Sequence, residues 1–255
     1  MILGDLQSLP AEEFEDPIKC ATAEEEIISI LSYAETICPN VYFIPGNHDP
    51  PDLFNNSGIP KPSLISKEFD DTSESVYLKE NWYNVHGRIL EIANGLKIVG
   101  YGGSKDNIVV KDGKEIDTIW EPYPYKDEDD YATGIKSLFA TLSFQYYEKN
   151  DFQVICMTHI GPFSSESAID TGHLGDGRNI HSGSKTLDEL FEKNKDFILM
   201  NVHGHNHDSK KSCKVSGVPI FNPNALFMKC YSEYTLKKNK DSGRWEVDAA
   251  EFLEI

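Results

Sequence analysis

The chain has 255 residues, of which 39% are hydrophobic and 26% are charged, and its formal net charge is −18 at a sequence pI of about 4.8. This length and composition fit one large globular domain or at most two small ones, and we expect a single domain over residues 1–255. The acidic balance argues against long nucleic acid as a partner, because no basic patch offsets the repulsion from phosphate groups.

Cysteine usage and hydropathy indicate a cytoplasmic protein. Five cysteines are scattered along the chain without a Cys-x-x-Cys pair, which is typical of free thiols in a reducing compartment. No apolar run is long enough to span a bilayer, and the N-terminal residues lack the pattern of a signal peptide. We therefore expect a cytoplasmic location and no membrane partner, while the oligomeric state is left open.

The first part of the chain predicts a parallel strand–helix–strand unit. Residues 1–5 have the pattern of a strand end, and a capping box at residues 22–25 predicts the start of a helix that stops before Pro39. The apolar residues 41–44 predict a second strand. Strand, helix, strand in this order implies a βαβ unit, in which ligands collect at the carboxyl ends of the strands.

The middle of the chain is predicted to be less regular. Residues 50–80 have the composition of a loop. Residues 88–92 and 96–99 flank Asn94-Gly95, the strongest hairpin signal in the chain. Residues 105–128 are interpreted as an irregular insertion, whose aromatic residues either form a wall or lid or simply pack on the surface.

The second half is predicted to alternate helices and strands before an antiparallel ending. Its apolar periodicities favour two helices, two buried strands and a terminal meander. The predicted elements are a helix over 129–148, a strand over 152–157, a polar loop over 160–183, a helix from Thr186, a strand over 197–202 and a β meander over 211–254.

Polar side chains follow four of the predicted strands, at the point where each strand ends. They supply one carboxylate, one amide oxygen and several imidazoles, a mixed oxygen and nitrogen set that suits Mn, Fe or Zn. Paired metal ions about 3.5–4 Å apart are the usual apparatus of phosphatases and nucleases. The residues are Asp5, Asn47, His48, His159, His205 and His207.

In their order and spacing these residues resemble the calcineurin-like metallophosphoesterases. That family carries Asp-x-His, Gly-Asp, Gly-Asn-His-Asp/Glu, a lone His and Gly-His-x-His, and the last four are matched here by Gly4-Asp5, residues 46–49, His159 and residues 204–207. The resemblance covers essentially the whole chain. It implies an α/β fold built as a four-layer α/β/β/α sandwich, with the terminal meander in the second sheet.

The resemblance also implies a role for each residue and two divalent transition-metal ions as cofactors. Asp5 would bridge the ions; one site would be completed by Asn47, His159 and His205, and His207 would bind the other ion. His48 would not bind metal, but would stabilise the transition state or protonate the leaving group. The expected reaction is hydrolysis of a phosphomonoester or phosphodiester by hydroxide formed from metal-bound water. The expected partner is a small phosphorylated substrate or a phosphoprotein.

The sequence departs from the family at its first motif. Only three residues precede Gly4, so the Asp-x-His motif and the strand that carries it are missing. We expect the sequence to be an N-terminally shortened version of an active enzyme, and the alternative is a genuine variant with an impaired site. A non-catalytic binding module on the same fold is therefore the second hypothesis, and a nuclease or cyclic-nucleotide phosphodiesterase is the third.

Other polar residues have both a structural and a functional interpretation. His203 is predicted to be structural, since the family leaves that position variable, and His86 to serve packing or the surface. The loop that contains Asp170, His173, Asp176, Arg178 and His181 either overhangs the metals or is solvated. Arg178 is the cation in that loop that could grip a phosphate with two hydrogen bonds.

Overall fold

The computed structural model describes residues 1–54, 81–119, 122–170, 174, 178–207, 209 and 211–254. The helices are α1 (Pro17–Ile37), α2 (Glu128–Lys149) and α3 (Lys185–Asn194). The strands of the first half are β1 (Ile2–Leu3), β2 (Val41–Ile44), β3 (Trp82–Asn84), β4 (Arg88–Ala93), β5 (Leu96–Tyr101), β6 (Asn107–Lys111) and β7 (Lys114–Ile119). Those of the second half are β8 (Gln153–Thr158), β9 (Ile169–Asp170), β10 (Asn179–His181), β11 (Ile198–His203), β12 (Ser212–Val215), β13 (Val218–Phe221), β14 (Cys230–Lys238) and β15 (Trp245–Glu254).

The largest sheet has six strands in the order β12-β13-β11-β8-β5-β4. Its central strands β5, β8, β11 and β13 run parallel to their neighbours in that group, and β4 and β12 close the edges as antiparallel hairpin partners. Every residue of β8 and β11 is buried. This burial agrees with their continuous apolar sequences, because a parallel sheet is covered on both faces.

A second sheet contains β1, β2 and β3, all parallel, with β2 in the centre. Helix α1 covers its outer face, where Ile27 and Leu31 of the helix pack in one cluster with Val41 and Phe43 of β2. The hairpin β14–β15 forms a separate two-stranded sheet.

The three-stranded and six-stranded sheets face each other across an apolar cluster. Ile44 of β2 lies in one apolar cluster with Ile98, Ile155 and Val202 of the six-stranded sheet, and side chains of β14 and β15 pack on the same cluster. On the opposite face of the six-stranded sheet, α2 and α3 pack in a further cluster. The order helix, sheet, sheet, helix confirms the predicted four-layer α/β/β/α sandwich.

A four-stranded sheet in the order β7-β6-β10-β9 joins the insertion to the segment after β8. Here the predicted loop over 160–183 is wrong in part: residues 169–170 and 179–181 are strands, and residues 166–168 form a 3₁₀ turn. Ile180 is paired with Val109 of β6 and is buried. A polar segment is held as strand by a partner that lies about seventy residues away, at residues 107–111.

Two other predictions need correction. Helix α1 begins at Pro17 and not at the capping box of 22–25, because the Asp16 side chain accepts hydrogen bonds from the backbone amides of Ile18 and Lys19 and proline is favoured in the first turn. The terminal meander is two separate hairpins: β12–β13 joins the six-stranded sheet through β11, whereas β14–β15 is paired with itself.

The remaining predicted helices and strands are confirmed within about two residues, including the Asn94-Gly95 hairpin and α2. The prediction of an irregular insertion over 105–128 is wrong in part, because β6 and β7 form a regular antiparallel hairpin there. Most of the predicted loop over 50–80 lies outside the described residues, as do Trp120 and Glu121 of the insertion. None of the helices in the described part of the chain has the length and apolarity that crossing a bilayer requires.

Candidate metal centre

The candidate ligands all follow the carboxyl ends of parallel strands. Asp5 follows β1 and Asn47 follows β2, while His159 follows β8 and His205 follows β11. The strands of each pair are parallel, so their carboxyl ends lie side by side in both sheets. Because the two sheets pack face to face, the four side chains meet at one edge of the sandwich.

Three of these side chains converge around His159, and we call the four residues together the ligand cluster. The ligand atoms of Asp5, His159 and His205 all lie within 4.8 Å of one another. His159 Nε2 is 3.3 Å from Asp5 Oδ2, 3.0 Å from Asn47 Oδ1 and 3.1 Å from His205 Nδ1. The ligand cluster is therefore Asp5, Asn47, His159 and His205.

The donor set of the ligand cluster fits a divalent transition metal. His159 Nδ1 lies 2.7 Å from the Leu3 carbonyl oxygen and donates its proton there, as metal-binding histidines do with their second nitrogen. The other nitrogen then faces a carboxylate oxygen, an amide oxygen and an imidazole nitrogen. In the His205 tautomer that leaves Nδ1 unprotonated, one proton on His159 Nε2 would have to serve three acceptors, whereas a cation satisfies all of them.

The backbone holds the Asp5 carboxylate in place by close contact. A Cβ on Gly46 would lie 2.1 Å from Asp5 Oδ1 and 2.2 Å from the Asp5 nitrogen. Asp5 and His205 themselves adopt left-handed φ values of 49° and 66°. Such conformations are uncommon for residues other than glycine and cluster at functional sites, since the surrounding structure must enforce them.

Burial and mutual charge set the protonation of the ligand cluster. Burial raises the pKa of Asp5, but the adjacent His159 outweighs it and holds the pKa well below its usual value. Burial lowers the pKa of His159, yet the Asp5 carboxylate and the Leu3 carbonyl leave it above its usual value. Burial lowers the pKa of His205 to about 3. At neutral pH, Asp5 is thus ionised and His205 carries a free lone pair, as metal ligation requires.

His207 and His48 lie at the rim of the ligand cluster. His207 is exposed and does not belong to the group whose ligand atoms lie within 4.8 Å, although Asp5 influences its pKa, which burial lowers. His48 is exposed, and its backbone amide donates to Asp5 Oδ1 at 3.1 Å. The structure thus brings both residues to the predicted edge, with their imidazoles more open to solvent than those of His159 and His205.

Asp49 is a residue to which the sequence reasoning gave no role. Its side chain is fully buried and accepts hydrogen bonds from the backbone amides of Gly46 and Gln7. Burial and the nearby Asp5 raise the pKa of Asp49 to about 7. This carboxyl group ties the loop after β1 to the loop after β2. The sequence signal that could have indicated this role is the position of Asp49 at the end of the Gly-Asn-His-Asp motif.

His203 lies on the other side of the β11 terminus, in a separate set of buried side chains. Its Nε2 is 2.7 Å from Ser167 Oγ, its Nδ1 is 3.0 Å from the Gly204 carbonyl, and Ser165 Oγ is hydrogen-bonded to Ser167 and lies 3.0 Å from Cys213 Sγ. Burial lowers the pKa of His203 to about 4. We call this set, Ser165, Ser167, His203 and Cys213, the hydrogen-bond cluster, and it agrees with a structural role for His203.

The other polar residues considered in the sequence analysis lie outside the ligand cluster. His86 is buried, and its Nδ1 accepts a hydrogen bond of 2.8 Å from the Gly102 amide, which is a packing role. Arg178 is half-buried immediately before β10, and its contact with substrate stays a prediction. Asp170 and His181 belong to β9 and β10, whereas His173 and Asp176 lie outside the described residues.

The sequence of the chain is similar to a known protein family and to a protein from an archaeon. The sequence profile of the calcineurin-like phosphoesterase family matches residues 1–209. The uncharacterized protein MJ1162 of Methanocaldococcus jannaschii is 24% identical over 215 residues, which cover 84% of this chain and 74% of that protein.

Two solved structures resemble this chain in their fold. One crystal structure, 13% identical, superposes with a TM-score of 0.52 over 84% of this chain and 68% of its own, a likeness of fold alone. The crystal structure of TT1561 of Thermus thermophilus is 16% identical, with a TM-score of 0.46 over 91% of this chain and 78% of that one.

Proposed function

The chain belongs to the calcineurin-like phosphoesterase family, and we propose that it is a metal-dependent hydrolase of a phosphomonoester or phosphodiester. The observation that carries this proposal is the excess of acceptors around His159 Nε2, where a carboxylate, an amide oxygen and an imidazole converge within 3.3 Å. A buried group of this composition is costly without a cation, because its lone pairs repel one another.

In this proposal the chain's own side chains hold and orient two divalent ions of Mn, Fe or Zn. Asp5, Asn47, His159 and His205 would hold one ion, and Asp5 together with the more exposed His207 would contribute to the second. Bound ions of this kind supply a Lewis acid that activates water and neutralises the phosphate oxygens. The Leu3 carbonyl keeps His159 in the tautomer that directs Nε2 at the metal.

His48 is the proposed general acid. Its backbone amide is fixed on the Asp5 carboxylate, while its imidazole is exposed at the edge that substrate would approach. A side chain that is anchored at its base and free at its tip can deliver a proton to the leaving oxygen. Proton transfer of this type contributes about 10²–10⁴-fold to a rate.

The proposed substrate is a small phosphorylated molecule or a phosphoprotein in the cytoplasm. The net charge of −18 repels a long polyanion, whereas one phosphate group can be drawn in by metal ions at the site. Arg178, in the segment before β10, is the proposed additional phosphate ligand.

A non-catalytic binding module is the second candidate function. The observation in its favour is that the ligand atoms of the described residues converge on one position, with His207 outside the 4.8 Å group. One ion at this position would bind a phosphorylated partner without the second ion that an in-line displacement uses.

Metal content and turnover distinguish the two functions. The full chain is loaded with Mn²⁺ and desalted, the ions per chain are measured by elemental mass spectrometry, and hydrolysis of p-nitrophenyl phosphate and its bis-ester is followed. We expect turnover that His48→Ala lowers about 10²–10⁴-fold at unchanged metal content. Bound metal without turnover would favour the binding module, and an unchanged rate in His48→Ala would contradict the role of His48.

A further inference from the structure

An exposed apolar turn lies beside the candidate metal centre. Residues 226–228 form a 3₁₀ turn between β13 and β14. Leu226 is 66% exposed, Phe227 75% and Met228 41%. Exposed apolar side chains scattered singly are ordinary, but three in succession next to a ligand site indicate a surface that something apolar contacts.

Phe227 connects this turn to the metal centre directly. Its ring meets the ring of His207 edge-on, with centroids 5.0 Å apart and planes at 86°. An edge-to-face pair of this kind orients both rings and leaves a face of the phenylalanine free. The exposed Phe227 ring therefore packs directly against His207, a proposed metal ligand.

The backbone on both sides of the turn is fixed, so the position of Phe227 is built into the fold. The Asn222 side-chain amide donates to the Asn206 carbonyl at 2.8 Å and to Ser209 Oγ at 2.9 Å, which ties the loop after β13 to the loop that carries His205 and His207. On the far side, Cys230 begins β14 and its side chain is buried.

We infer that the turn of residues 226–228, with Phe227 as its main contact, binds a flat aromatic group that is joined to the phosphorus of the substrate through the ester oxygen. This inference rests on the proposed function and specifies its substrate class. A phosphate held at the ligand cluster and His207 would place its substituent towards this rim. An aromatic ring there can stack on the free face of Phe227, and Leu226 and Met228 extend the apolar contact.

The outer face of α2 offers a matched comparison. Phe144 is 66% exposed, close to the value for Phe227, but it lies towards the carboxyl end of α2, the end of the helix that leads into the start of β8. The candidate ligands follow the opposite, carboxyl end of β8, at His159. Phe144 therefore controls for the loss of an exposed phenylalanine without a change at the metal centre.

The test measures binding of two phosphonates that cannot be hydrolysed. The Mn²⁺-loaded full chain is titrated calorimetrically with phenylphosphonate and with methylphosphonate, as the parent protein and as Phe227→Leu, Phe227→Tyr and Phe144→Leu. We expect the parent to bind phenylphosphonate about fivefold more tightly, since an aromatic pair contributes about 1 kcal/mol. Phe227→Leu should reduce this preference to less than about twofold, while Phe227→Tyr and Phe144→Leu keep it.

Several outcomes would overturn the inference. These are equal binding of the two phosphonates by the parent, binding of neither, or a preference that survives in Phe227→Leu. A parent that sediments as a dimer and a Phe227→Leu variant that sediments as a monomer would assign the turn to self-association instead. Hydrolysis of p-nitrophenyl phosphate is measured on the same samples. A Phe227-dependent preference without turnover would support the aromatic site while the proposed catalytic function fails.

Discussion

His203 and His205 are two residues apart on one segment, yet they belong to clusters of opposite character. In the hydrogen-bond cluster, both ring nitrogens of His203 have one partner each, the Ser167 hydroxyl and the Gly204 carbonyl. In the ligand cluster, Nε2 of His159 faces Asp5, Asn47 and His205 together. In the hydrogen-bond cluster, the available protons are enough to give each acceptor a hydrogen bond. In the ligand cluster, there are more acceptors than protons.

This difference shows why a buried histidine is not by itself a metal ligand. Both His203 and His159 are at most 1% exposed, so burial does not separate them. Their neighbours do, because hydroxyl groups can donate as well as accept, while carboxylate and amide oxygens only accept. Substitutions in the two clusters can therefore show whether this balance of donors and acceptors decides metal binding.

The largest effect is expected from Gly46→Ala. The new Cβ would lie within about 2.2 Å of both the side chain and the backbone of Asp5, neither of which is a flexible chain end. We expect Mn²⁺ binding to be lost and the free energy of unfolding to fall by about 3 kcal/mol, as for an overpacked core. Elemental analysis and urea unfolding measure these two changes.

Gly217→Ala is the control for that substitution. An added Cβ there meets nothing within 4 Å, but its φ of +88° makes any side chain strained. We expect a loss of about 1 kcal/mol in unfolding free energy and normal metal binding. Normal Mn²⁺ content in Gly46→Ala would show that the fixed position of Asp5 is not needed.

A smaller effect is expected from paired substitutions, His159→Gln and His203→Gln. Glutamine has a similar length and remains polar, so it removes the imidazole while leaving a hydrogen-bonding group. His159→Gln should weaken Mn²⁺ binding about 100-fold, the upper end of the effect seen even for supporting residues, and His203→Gln by less than about threefold. Titration calorimetry with Mn²⁺ measures both. Equal losses in the two variants would remove the distinction between the clusters.

The smallest effect concerns the pH dependence of the hydrogen-bond cluster. Burial lowers the pKa of His203 from 6.5 to about 4. Between these two pH values the imidazole is protonated in the unfolded chain and neutral in the folded chain. Stability contributed by the neutral ring is therefore present above pH 6.5 and is lost as the pH falls towards 4. Between pH 7 and pH 5 this amounts to about 2 kcal/mol.

The measurement is urea unfolding with chelator at both pH values, for the parent and for His203→Gln. We expect the variant to lose about 2 kcal/mol less than the parent between pH 7 and pH 5. His86, whose pKa burial lowers to about 3, contributes equally in both proteins and cancels from the difference. An identical decrease in the two proteins would mean that His203 is already protonated in the fold at pH 5.

Local patterns in the sequence were sufficient for most of the regular elements. The apolar runs that form β2, β8 and β11 are short and continuous, as buried parallel strands require, and Asn94-Gly95 marked the β4–β5 turn. Helix α1 shows the limit of this reasoning. Two capping signals compete within ten residues, and the structure uses Asp16 because Pro17 follows it.

What the sequence alone determined was the succession of most helices and strands along the chain, the strand ends that carry the candidate ligands and the residue types found there, since each depends on neighbours in the chain. Only the tertiary structure decided which of those residues converge. The excess of acceptors at His159, the tie between Asp49 and Gln7, the pairing of β10 with β6 and the contact of Phe227 with His207 all join segments that are distant in sequence. Such contacts depend on the packing of two sheets, and no local propensity encodes them.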